Sequence, residues 1–261
     1  MKEKDIVFVP FTTKMNSLEK LFHEELLNQV SKLLYTTKKW LQTSNGLEYL
    51  NTPEEENIKP LIELLKQEKL DTRTLFNLLE INYTLGSSYA HQSIGKVRKS
   101  LTGSHQKSFK LLKKGVQKIL NNFKKTIIED IKELLKGANR YRNHLHEMLQ
   151  DLLNHHYSTP ITPKTRSEMI ARTEMVRSFN NGVFQTYSNF GIEIFEIVNY
   201  NDVGICDVCI DLINNNPYTL EEITKLLPVH PNCRCFGVVY RLMDDIIDEV
   251  KNPIIVDMFK Q

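Results

Sequence analysis

The chain has 261 residues, of which 41% are hydrophobic and 25% charged, so it can build a substantial core and is no disordered polymer. No window of about eighteen apolar residues exists, which excludes a membrane-spanning helix. The start, Met1-Lys2-Glu3-Lys4-Asp5, leads into no apolar stretch of the secretory kind, so the expectation is a chain made and kept in a reducing compartment.

The net charge of +2 hides an uneven distribution. Residues 81–128 contain no Asp or Glu but hold Lys96, Arg98, Lys99, Lys107, Lys110, Lys113, Lys114, Lys118, Lys124 and Lys125. Those ten positive charges, set against +2 for the whole, leave −8 for the remainder. Local acids cannot neutralise such a stretch, so DNA phosphates or an acidic protein surface are its expected partners.

In chain order, residues 1–16 read as an extended arm, within which a short apolar run (Ile6, Val7, Phe8, Val9) is ended by Pro10. Leu18, Leu21, Phe22, Leu26, Val30, Leu33 and Leu34 then recur at three- and four-residue steps, one face of a helix closing near Ser44-Asn45-Gly46. A polar loop over 51–57 precedes a short amphipathic helix from Ile58 to Glu68. A third helix begins at Asp71-Thr72. The basic stretch breaks at Thr102-Gly103-Ser104, and one long helix is expected from Gln106 to His156, kinked at Gly115 or Gly137. Ser158-Thr159-Pro160-Ile161-Thr162-Pro163 marks the best domain boundary, because proline cannot continue a helix. Beyond it the spacing predicts a helix over Lys164 to Asn189 capped by Gly191, a strand over Ile192 to Val198, a short helix over Leu220 to Leu227, and a strand over Phe236 to Leu242. A short helix and tail complete the chain over residues 242–261.

All four cysteines fall between Cys206 and Cys235. The constellation is Cys206-x2-Cys209, then His230-x2-Cys233-x-Cys235. A CxxC turn supplies two thiolates from one knuckle and a second knuckle closes a tetrahedron, the pattern of a structural zinc site. Five donors compete for four places, the expected set being Cys206, Cys209 and His230 with Cys233 or Cys235. Two disulfides or a packed, metal-free knuckle are the alternatives, and a redox CxxC should open a helix after a strand within a thioredoxin-like βαβ unit, which the sequence does not show. His144, Glu147, Asp151 and His155 share a helical face but lack the HExxH order, and read as a solvated surface. Glu174 and Arg177, at i and i+3, read as a pair on a helix. Phosphate-binding loops and nucleophile elbows are absent from the sequence, so a non-catalytic protein is expected.

Ala171-Arg172-Thr173-Glu174, Arg177, Asn180, the CxxC and His230-Pro231-Asn232-Cys233-Arg234-Cys235 together resemble the phage Mu F-like minor head protein family, or phage head morphogenesis domain. The resemblance covers about Lys164 to Tyr240. This chain carries Phe195 and Val198 where the family's strand usually holds a tryptophan. The resemblance implies a low-copy minor capsid protein of a tailed phage or prophage, made in the host cytoplasm and housed in the virion near the portal. Its implied partners are the portal protein, the scaffold or major capsid protein, and double-stranded DNA. Arg172, Glu174, Arg177 and Asn180 are then structural motif residues.

The expected fold is thus α+β and mostly α: an elongated N-terminal helical region (residues 1–158) followed by a small α+β domain (164–241) with a zinc knuckle. A zinc-stabilised, non-specific nucleic-acid-binding module is the competing reading, and a metalloenzyme with an open zinc position a third.

Overall fold

A computed structural model describes residues 3–96, 101–137, 144–199 and 205–240. The chain is mostly helical and carries one small antiparallel sheet, as the sequence predicts.

Helix α1 (Glu3–Leu41) starts well before the expected position. The apolar stripe continues upstream through Met15 and Phe11, both buried, and that burial outweighs the single backbone donor lost at Pro10. At 39 residues the helix is about 58 Å long, which makes the helical region elongated. Its end is followed at once by α2 (Ser44–Asn51), which starts where the sequence predicts only the close of the first helix. Thr43 caps α2 through its side-chain oxygen, which accepts from the Gly46 N–H. A Cβ at Gly46 would lie 2.3 Å from the Trp40 carbonyl, so only glycine lets the two helices meet so closely.

Helix α3 (Glu55–Gln67) and α4 (Arg73–Ser93) lie where the periodicity puts them. The single long helix expected over Gln106 to His156 does not form. Instead α5 (Gly103–Lys136) ends at Gly137, and α6 (Leu145–Asp151) with a 3-10 turn (Leu152–Asn154) follows. Gly115 stays inside α5.

Helix α7 (Pro163–Asn189) begins with Thr162 as N-cap and Pro163 in the first turn. It closes in a Schellman motif: Gly191 (φ +70°) donates to the Ser188 carbonyl and Ile192 to that of Tyr187. The prolines therefore start a helix, yet they do not separate two cores. One continuous apolar cluster runs from Phe11 to Val238, and α7 packs on α1, α4 and α5. Elements on both sides of the proline segment thus contribute to one apolar cluster.

The crossing of α4 and α7 explains the shared core. A Cβ on Gly86 would sit 2.1 Å from the Phe179 carbonyl oxygen, and one on Gly182 would sit 2.0 Å from that of Tyr83. Two opposed glycines thus allow backbone to touch backbone. Small polar residues exploit the approach: Asn82 donates to the Met175 carbonyl (2.6 Å), Ser178 to that of Leu79 (2.6 Å), and Thr186 to Ser87 (2.8 Å).

The remaining elements are strand β1 (Ile194–Asn199), α8 (Asp207–Asn214), β2 (Tyr218–Thr219), α9 (Leu220–Leu226) and β3 (Cys235–Val239). Sheet order is β2-β1-β3, with Phe195 opposite Val239 and Asn199 opposite Cys235. A capping box formed by Thr219 and Glu222 opens α9. Helix α8 and strand β2 were not foreseen. The expected helix and tail over 242–261 lie outside the described residues.

Candidate metal centre

The cysteine segment folds into two knuckles whose donor atoms meet. In the first, Cys206 is the N-cap of α8 and Cys209 sits one turn on, so both sulfurs lie at the same helix end. Cys206 is exposed and Cys209 buried. In the second, Cys233 donates its N–H to the His230 carbonyl (3.2 Å), closing a tight turn with Pro231 and Asn232 at its centre. Asn232 adopts φ +74°, the left-handed region that Asn tolerates better than most side chains. β3 then begins at Cys235.

The donors converge as two overlapping triads, Cys206–Cys209–His230 and Cys209–Cys233–Cys235, each with its ligand atoms within 4.8 Å of one another. His230 Nε2 lies 3.2 Å from both the Cys206 and the Cys209 sulfur. A zinc ion bound at about 2.3 Å to sulfur and 2.0 Å to nitrogen would separate its ligands by about 3.6–3.8 Å, a few tenths of an ångström more than the His230 contacts and within the span of each triad. Among the described residues no other cluster brings three such atoms together. All four cysteines are free thiols, so the disulfide alternative is not what the fold adopts.

The protonation pattern fits a cation site. His230 Nδ1 lies 2.7 Å from the Pro231 carbonyl oxygen, which can only accept, so Nδ1 carries the proton and Nε2 turns its lone pair to the sulfurs. That backbone bond is also the main cause of the raised His230 pKa. The Cys206 thiol is lowered by the N–H and S–H of Cys209, and that of Cys233 is lowered to about 5, first by the donating thiol of Cys235. Cys209 is pushed up to about 12, mainly by burial. Cys235 is raised by donating to Cys233 and by burial. A metal ion bound here would replace the protons of the thiols that ligate it.

The motif helix supports this unit from behind. Thr173 accepts from the Asn232 N–H (2.9 Å), and Arg172 donates to the Asn232 side chain (2.8 Å) and to Glu19 of α1 (3.1 Å). Arg234 reaches the same Glu19 (3.5 Å) and Asn16 (3.3 Å). Asn180 clamps the outer edge of β3, donating to the Cys235 carbonyl (3.1 Å) and accepting from the Gly237 N–H (3.2 Å). Glu174 is 2% exposed and pairs with Arg177 at 3.1 Å, and burial raises its carboxyl above the usual range despite that partner. Glu19, Asn16 and Thr173 were not singled out from the sequence. Thr173 stood inside the motif, but Glu19 lies 153 residues from Arg172 and only the fold brings it there.

His144 and Glu147 pair with each other, and His155 bonds the Asp151 carbonyl, so this stripe is a locally satisfied surface. The basic residues do not act as one group. Lys124 is consumed internally, donating to the Lys66 and Glu68 carbonyls at the end of α3 (2.7 and 2.5 Å), and Lys113 lies over the rings of Phe109 and Phe76. Lys96, Lys107, Lys110, Lys114, Lys118 and Lys125 are exposed, while Arg98 and Lys99 lie outside the described residues.

No protein-family model, no curated protein and no solved structure matches the chain. Among the described residues no helix is long and apolar enough to cross a membrane.

Proposed function

We propose that this is a non-catalytic minor capsid protein of a tailed phage or prophage, which joins the procapsid interior through the portal protein and assists head assembly and DNA packaging or delivery. One observation carries the reading. Three of the residues through which the sequence resembles the head morphogenesis family, Arg172, Thr173 and Asn180, grip the turn and strand that hold His230, Cys233 and Cys235. Motif residues serving a shared support, rather than an open cleft, suit an assembly protein better than an enzyme.

In this reading the cluster holds zinc, chosen because thiolates and imidazole are its usual donors in a tetrahedral site. Cys206, Cys209 and His230 supply three ligands and Cys233 or Cys235 the fourth, which leaves no position for a substrate. The ion would pin both knuckles to α7 and, through Arg172, Arg234 and Glu19, to α1. Scaffold or major capsid protein are further partners in the same assembly.

The test is co-expression with a cognate tailed-phage portal protein, followed by size-exclusion chromatography and by analysis of purified heads. Co-elution, together with low-copy presence inside heads, is expected. Absence from both would overturn the assignment.

A further inference from the structure

The solvent face of α5 carries lysines at 107, 110, 114, 118 and 125, steps of three, four, four and seven residues. At 3.6 residues per turn such steps place all five on one stripe, opposite the buried Phe109, Leu112, Val116, Leu120 and Phe123. The stripe is about 27 Å long and rides on an unbroken helix. No ion pair engages these five amines among the described residues, whereas Lys132 and Lys136, further along the same helix, are matched by Glu55 and Glu133. One end of α5 is therefore neutralised and the other left as a bare cationic ridge.

We propose that this ridge docks on double-stranded nucleic acid through the phosphates of the backbone, without reading bases. The occupant follows from charge complementarity and from what the ridge lacks. Its exposed side chains are amines and amides (Asn121, Asn122), with Leu111 the lone large apolar group among them. A protein interface is built around buried aromatic and aliphatic anchors and is depleted in lysine. Both aromatic residues of α5, Phe109 and Phe123, are buried, so no ring is offered for stacking unpaired bases. Lysines act as flexible point charges, which suits a regular row of phosphates and carries no sequence preference. A 27 Å ridge spans about eight base pairs of duplex. This inference does not rest on the metal or on the assembly reading, because α5 contributes nothing to the cysteine cluster.

The experiment measures binding of the full-length protein to a mixed-sequence 30-base-pair duplex, a length of about three helical turns, over a salt series. Five phosphate contacts predict a log–log slope of about −4.5. The triple variant Lys110→Gln, Lys114→Gln, Lys118→Gln should lessen that slope by about 2.7. A control triple of equal charge change, Lys59→Gln, Lys66→Gln, Lys225→Gln, removes exposed lysines already paired with glutamates elsewhere and should change it by less than about one. All six side chains are solvent-facing, and circular dichroism verifies that both variants fold. Three outcomes overturn the proposal: no salt-dependent binding at about 50 mM salt, equal slopes for the two triples, or poly-glutamate displacing the duplex at equal charge concentration. The last would assign the ridge to an acidic protein.

Discussion

Glu174 sits in an environment that departs from its chemistry, for a carboxylate on a charged helix belongs in water. Here it is almost fully buried beside a half-exposed arginine, and burial raises its pKa above the ordinary 4.5. The sign follows from proton counting. Between pH 4.5 and the raised native value the folded state holds more protons than the unfolded one, so this group's contribution to stability falls as pH rises through that window and stays flat above it. Glu174→Gln removes the titration while keeping size and hydrogen-bonding capacity. Its unfolding midpoint in guanidinium should therefore gain on wild type as pH is raised from 4.5 towards neutrality. A difference between the two proteins that does not vary with pH would show that Glu174 does not titrate in this way. Asn180 illustrates the opposite lesson. It stands in the motif as an unremarkable amide, yet its two bonds satisfy two buried backbone groups of β3 that no strand pairs.

Among the elements, the contact of α4 with α7 decides the architecture. Replacing Gly86 or Gly182 with Ala adds about 1 kcal/mol of helix propensity, since glycine is the poorer helix former. Against this, the new Cβ would meet backbone at 2.1 or 2.0 Å, and backbone cannot move aside as a flexible side chain can. Overpacking wins, and each substitution should cost a net 1–3 kcal/mol, with a thermal midpoint lower by about 2–4 °C per kcal/mol. Calorimetry of both single variants checks it, and a stabilised Gly182→Ala would refute the close approach. Helices α3, α4 and α7 and strand β1 were legible because a single stripe or alternation decides each. Helix α1 was misread at its start because Pro10 looks like a stop, while the burial of Phe11 and Met15 that overrides it depends on residues far along the chain. The break at Gly137 was legible only as a possible kink. Helix α8 escaped notice because its eight residues carry too little pattern beside the louder cysteine spacing.

At the scale of the molecule, the prolines at 160 and 163 suggested two independent halves, but the core crosses between them. Asp130 of α5, 1% exposed, accepts from the Ser158 N–H (2.9 Å) and hydroxyl (2.5 Å) and pairs with Arg166 of α7 at 3.2 Å, so the connecting segment is itself locked down. The candidate site was legible as a set of five donors, since CxxC and HxxCxC announce their chemistry by spacing. Its support was not, because Glu19 and Asn16 reach the second knuckle only after α1 has packed on α7. This arrangement makes the cysteine cluster a part of the whole fold rather than of an appended module, and a metal bound there should stabilise the helices as well as the sheet. Direct metal analysis of the full-length protein, purified without chelator, tests this account most squarely. One zinc per chain is expected in the wild type and none in Cys209→Ser, with one of Cys233→Ser and Cys235→Ser also losing it, and removal of zinc should lower the melting temperature of the entire molecule in a single transition. A protein that carries no metal, or that melts identically with and without it, would contradict the account.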